Sequence, residues 1–158
     1  KKIIKFRYMK KPLIALIAFF ACTFSYSQVD QSSSGYSVET IGKISTLYKY
    51  IELTKQAVND ENIYNLKYHN LEFPEMKDLA NVWFKATNEE LDDLYNTILM
   101  GSKMKRNDPI KYINLDRGKL GVSRLTSGQV KILYTANGSN EVKWTWLSKG
   151  QLKKVFGK

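Results

Sequence analysis

The side chains best suited to acid-base chemistry gather in one short stretch, where Glu89, Glu90, Asp92 and Asp93 follow one another almost without interruption. Two carboxyl groups can divide the work of glycoside hydrolysis, but only if they face each other across a cleft and one has a raised pKa. The spacing here points elsewhere. Thr87 and Glu90 stand three apart, as in a capping box, where the threonine hydroxyl accepts the Glu90 amide and the Glu90 carboxylate reaches back to the Thr87 amide. The other acids fall in the first turns of the helix so started, where the helix dipole favours negative charge. The cluster is thus accounted for by the start of a helix, and no catalytic residue is assigned.

His69 is the only histidine and Cys22 the only cysteine. A zinc site needs three or four N, S or O ligands, and a histidine-centred catalytic set needs a nucleophile and an orienting acid. His69 falls on the polar phase of a strand and reads as a solvated side chain, so no metal site is expected. The chain has no Gly-rich phosphate loop, no Gly-x-Ser-x-Gly elbow and no Cys-x-x-Cys pair, and no cofactor is expected.

Binding chemistry is better represented. Trp144 and Trp146 lie two apart and share one face of a strand, with Val142 extending the stripe. Such a stripe ordinarily forms core, here beneath a helix; exposed, it would be a stacking platform for sugar rings or bases. Lys143 and Thr145 take the opposite phase. There Lys143 and Lys131 would join Lys119 and Arg124 in a basic sheet face, whose alternative is an ordinary solvated surface. The candidate binding residues are accordingly Lys119, Arg124, Lys131, Lys143, Trp144 and Trp146.

The formal charge of +10 has two sources. Six of the 25 Lys and Arg residues lie before Pro12. From Gln28 to Met100 there are 6 basic against 12 acidic side chains, and from Gly101 to Lys158 there are 13 against 3. A basic second half suits a polyanionic partner; equally, the two halves could pack together and partly neutralise each other.

The elements that must position these residues are legible from alternation and caps. Ile44 to Leu53 reads as a strand with Ile44, Thr46, Tyr48 and Tyr50 on one face, although Ile41, Ile44, Tyr48, Ile51 and Lys55 also fit a helix over 41–58. Asn59 to Asn62 form a turn into a second strand, Ile63 to Leu71, with Tyr64, Leu66 and Tyr68 inward. Leu79 to Ala86 forms a third. The helix started at Thr87 carries Leu91, Leu94, Tyr95, Ile98 and Leu99 inward. Lys103, Lys105 and Arg106 should lie at its end, and Asn107-Asp108-Pro109 should stop it.

Four strands then alternate with short turns: 111–115, 119–125, 130–136 and 141–147, with Asn137-Gly138 the strongest turn signal. Ser148 and Gln151 form a second capping box, opening a short helix with Leu152, Val155 and Phe156 inward. The fold expected is α+β. An antiparallel sheet, made of a hairpin plus a strand and then a four-strand meander, packs on one central helix and ends in a short C-terminal helix. No internal repeat is evident.

The N-terminal stretch carries the marks of an export signal. Met9-Lys10-Lys11 is cationic, Pro12 to Cys22 is apolar but shorter than the roughly 20 residues of a membrane span, and Ser25 and Ser27 are small residues placed for cleavage. Residues 9–27 are therefore expected to be a cleaved signal peptide, preceded over 1–8 by an upstream segment of an over-extended reading frame. A serine-rich lead-in over 28–37 and a single domain over 38–158 follow. The alternative is a lipoprotein anchored at Cys22. The expected location is periplasmic or extracellular, and the mature domain would hold itself together without disulfides.

The segments Phe84 to Leu91 and Leu147 to Lys158 resemble short exported bacterial proteins of unassigned function. That resemblance implies no activity, cofactor or partner. The expectation is a non-enzymatic binding module whose partner is an anionic envelope polymer or another protein. A small envelope-polymer hydrolase with unrecognised carboxylates, or an inhibitory or protective protein, is the alternative.

Overall fold

The computed structural model describes residues 37–76, 78–125 and 127–158. The upstream segment, the signal peptide, Cys22 and all of the lead-in except Ser37 lie outside these residues. Ten elements follow in order: β1 (Val38–Ser45), β2 (Tyr50–Val58), β3 (Glu61–His69), β4 (Leu79–Lys85), α1 (Asn88–Gly101), β5 (Lys111–Leu115), β6 (Gly118–Arg124), β7 (Val130–Ala136), β8 (Val142–Leu147) and α2 (Lys149–Val155). The fold is α+β, with two four-stranded antiparallel sheets ordered β1-β2-β3-β4 and β5-β6-β7-β8. Among the described residues no helix is long and apolar enough to cross a membrane.

The first sheet departs from expectation at its start. Residues 44–53 form the end of β1, a turn and the start of β2, so the first sheet has four strands and neither a single strand nor a helix fills 41–58. The turn is closed by the Thr46 amide and hydroxyl, both donating to the Lys49 carbonyl. Tyr48, read as sharing a strand face with Ile44 and Tyr50, stands at the tip of the turn and is exposed. The return from β2 to β3 uses Asn59 and Asp60 in the left-handed region, at φ of 50° and 64°. Asn and Asp tolerate that region better than other side-chain-bearing residues, which suits a tight two-residue hairpin.

Alternation places the core as read in β3. Tyr64, Leu66 and Tyr68 are buried, and Val82 and Phe84 face them across the ladder. Both capping boxes form. Thr87 Oγ1 accepts the Glu90 amide at 3.1 Å while Glu90 Oε2 accepts the Thr87 amide at 2.7 Å; Ser148 and Gln151 repeat the exchange at 3.2 and 3.1 Å. Helix α1 stops earlier than expected, at Gly101, because the Ser102 hydroxyl turns back onto the Leu99 carbonyl. Its last turn therefore holds no basic residue, and Lys103, Lys105 and Arg106 lie beyond it.

The chain also repeats itself, contrary to the sequence reading. Each half is a four-strand meander followed by a capped helix. Thr87-Asn88-Glu89-Glu90-Leu91-Asp92-Asp93-Leu94-Tyr95 matches Ser148-Lys149-Gly150-Gln151-Leu152-Lys153-Lys154-Val155-Phe156 in its cap, its box partner and its three inward residues. The helices exchange places. Helix α1 packs on β6 and β7 of the second sheet, whereas α2 packs chiefly on β1 and β2 of the first. The Tyr95 and Phe156 rings, at matching positions, meet with centroids 5.5 Å apart. One apolar core results, drawing on both sheets and both helices.

Candidate functional site

In the second sheet the register decides which side chains share a face. Val130, Ile132 and Tyr134 of β7 stand opposite Leu147, Thr145 and Lys143 of β8, while Lys131, Leu133 and Thr135 stand opposite Trp146, Trp144 and Val142. Val130, Ile132 and Leu147 are fully buried and Thr145 is 1% exposed, so that phase is the inner one. The tryptophan phase faces out. Trp144 and Trp146 are half-buried on the outer surface, and the core reading of this stripe is corrected.

The lysines expected on the face opposite the tryptophans therefore divide. Lys131 lies on the tryptophan face, its ammonium 4.3 Å from the centroid of Trp144. Lys119, paired with Thr135, is on the same face and exposed. Lys143 takes the inner phase but reaches its ammonium to the rim, where it meets Asp78 at 2.7 Å and Glu141 at 3.5 Å. Arg124 is also on the inner phase, at a strand end, where its guanidinium donates to the Met104 carbonyl at 3.1 Å. The structure thus places Lys119, Lys131, Trp144 and Trp146 on one sheet face, with Lys131 alone in contact with a tryptophan among them, and puts Arg124 and Lys143 on the other phase.

Sequence reasoning missed Lys49. It sits at the end of the β1–β2 turn, is only 7% exposed, and holds its ammonium 3.5 Å from the Trp146 centroid. It donates to Gln151 Oε1 at 3.0 Å, the same oxygen that caps α2. Burial pulls its pKa down to about 8. No sequence pattern linked it to a residue roughly a hundred positions away.

Around Gly121 the outer face is apolar. A Cβ on Gly121 would stand 3.0 Å from Ile110 and 3.2 Å from the Tyr112 ring, so the absence of a side chain lets these groups close over the sheet. Tyr112 and Ile110 are exposed and Leu133 is half-buried. No Asp or Glu occupies an outward position on β5 to β8.

The edge of β8 is held by the segment after β3. The Leu71 amide donates to the Trp144 carbonyl at 2.8 Å, Asn70 Oδ1 accepts the Trp144 amide at 3.1 Å, and the Tyr68 hydroxyl donates to the Lys143 carbonyl at 2.9 Å. These bonds satisfy an otherwise open strand edge and fix the backbone that carries the tryptophans. Asp78 anchors the same corner. Hydrogen bonds from Lys143 and then Asn70 hold its carboxyl below the usual range.

The remaining candidates for chemistry are dispersed. Glu90 is committed to its cap and Asp92 to an ion pair with Lys158. His69 is half-buried on the outer face of the first sheet, its ring 6.0 Å from that of Tyr50. Among the described residues no three His, Cys, Asp or Glu side chains gather where a metal ion could be held. Comparison with protein-family models, with curated proteins and with solved structures finds no match to this chain.

Proposed function

We propose that this is an exported, non-enzymatic binding module that takes an anionic envelope polymer, in particular an acidic polysaccharide, on the outer face of its second sheet. One observation carries the reading. Lys119 and Lys131 share the outer face with Trp144 and Trp146, and the outward positions of that sheet hold no carboxylate. Indole rings offer flat apolar area to the face of a pyranose, and the ammonium groups beside them offer partners for its carboxylates. The rigid backbone beneath favours this use, since a preformed platform loses little entropy on binding.

The test is retention of the purified protein on immobilised polygalacturonate at low salt, with neutral dextran as the control. Retention on the acidic polymer alone is expected, reduced by salt as screening grows. Trp146→Ala should weaken binding by about 1 kcal/mol, roughly fivefold, by removing stacking area. Equal retention on dextran, or retention only on anionic vesicles or nucleic acid, would overturn the assignment.

A further inference from the structure

The internal repeat points to a second binding position. Trp144 stands four residues before the cap residue Ser148, and Trp83 stands four residues before the cap residue Thr87. Each lies outward on the last strand of its sheet. Trp83 is 37% exposed, and it walls a cleft of about 290 Å³ that also involves Gln56, Lys85, Asp116 and Arg117.

The polar groups of this cleft are fixed by their backbones. The Lys85 amide donates to Asp116 Oδ2 at 3.2 Å, which ties the β5–β6 turn to the end of β4. The Arg117 carbonyl accepts the Tyr134 hydroxyl at 2.9 Å and the Asn137 amide at 3.0 Å, so the residue is held while its side chain remains exposed. Among the described residues Arg117 forms no ion pair, whereas the Lys85 ammonium pairs with Glu61. The formal charges sum to zero, with Lys85 paired to Glu61 and the unpaired Arg117 sharing the cleft lining with the carboxylate of Asp116. No net charge is left for an anion to recognise, in contrast to the face around Trp146. What the cleft offers is a flat indole, a guanidinium that only donates, a carboxylate that only accepts, and an amide that does both. A ring bearing several hydroxyls, each both donor and acceptor, matches that set.

We propose that the cleft at Trp83 is a binding site for an uncharged pyranose unit, separate from the polyanion face and independent of it. The sugar ring stacks on Trp83, and neighbouring hydroxyls pair with Arg117, Asp116 and Gln56.

The experiment uses the full chain carrying Trp144→Phe and Trp146→Phe, so that Trp83 alone reports by fluorescence. It is titrated with neutral tetrasaccharides of glucose, galactose, mannose and N-acetylglucosamine, and with a tetragalacturonate. A saturable change in emission with at least one neutral sugar is expected below about 10 mM, the weak range typical of a few hydrogen bonds and one stacked ring. Arg117→Met should weaken it roughly tenfold with the melting temperature unchanged, since a hydrogen bond from a charged group is lost. No change with any neutral sugar, an equal change in Arg117→Met, or preference for tetragalacturonate would each overturn the proposal. The polygalacturonate retention of the unaltered protein is read separately, so either assignment can fail alone.

Discussion

The Lys49 ammonium lies 3.5 Å from the ring centroid of Trp146 while donating to the Gln151 carboxamide, so one buried cation joins a turn of the first sheet, the last strand of the second and the cap of the final helix. No carboxylate is paired with it among the described residues.

That arrangement predicts a pH dependence of stability. The Lys49 pKa falls from an ordinary 10.5 to about 8 on folding, through burial. Below pH 8 both folded and unfolded chains hold the proton, and the fold bears the cost of the buried charge. Between about 8 and 10.5 the folded chain loses its proton first, the unfolded chain binds more, and stability rises with pH. Urea denaturation at pH 7 and pH 9 should show this rise, and Lys49→Met should abolish it. Gln151→Glu gives the ammonium an opposite charge and should restore its pKa towards 10.5, flattening the profile.

Thr145 presents the reverse case, a polar atom with nothing to bond. Its Oγ1 is buried on the inner face of β8 without a partner. Replacement by the isosteric valine removes the unsatisfied hydroxyl and should stabilise the fold by about 1 kcal/mol, read as a higher urea midpoint at unchanged slope. Because the side chain points away from Trp144 and Trp146, retention on polygalacturonate should not change.

Gly42 should tolerate no side chain. It lies at the β-bulge of β1, and an added Cβ would collide with the Lys154 carbonyl and stand 2.6 Å from that of Val155 at the end of α2. Both obstacles are backbone and cannot rotate away. Gly42→Ala should cost about 2 to 3 kcal/mol, within the range for overpacking a tight contact, and should lower the melting temperature by several degrees.

Lys143 and Lys131 should separate stability from binding. Lys143 spends its charge on Asp78, whose carboxyl is held below its ordinary value by that bond. A depressed carboxyl contributes stability above its unfolded pKa that is lost as pH falls through the folded one. Asp78→Asn should therefore cost at most about 1 kcal/mol at pH 7, since the pair is partly exposed, and nothing once the lowered carboxyl is itself protonated. Lys143→Ala should leave polymer retention nearly intact, and Lys131→Ala should reduce it and its salt dependence.

The second half of the fold was more legible in the sequence than the first because its punctuation is explicit. Asn137-Gly138, the Ser148 and Gln151 box and strict alternation leave little choice between 130 and 156. Residues 44–53 hide a turn with no Gly, Pro or Asn, made by Thr46 and Lys49 through backbone and hydroxyl bonds that no residue type announces. The binding face was half legible. Its tryptophans were found, but the rule that aromatic stripes go inward failed because Thr145 and Leu147 occupy the core instead. Summing the β7–β8 register would have placed Lys131 with Trp146, whereas Lys49 arrives only through tertiary packing. The repeat escaped notice because strands of unequal length and opposite surface charge disguise two helices alike in cap and inward face.

Because each helix settles on the other half's sheet, neither half of the molecule is a finished object by itself. A chain emerging from the ribosome completes its first meander long before residues 149–155, which cover it, have been made. That meander must wait, with its apolar side open, until residues 149–155 have been made. Deleting residues 149–155 should therefore affect the earliest strands more than the strand they follow.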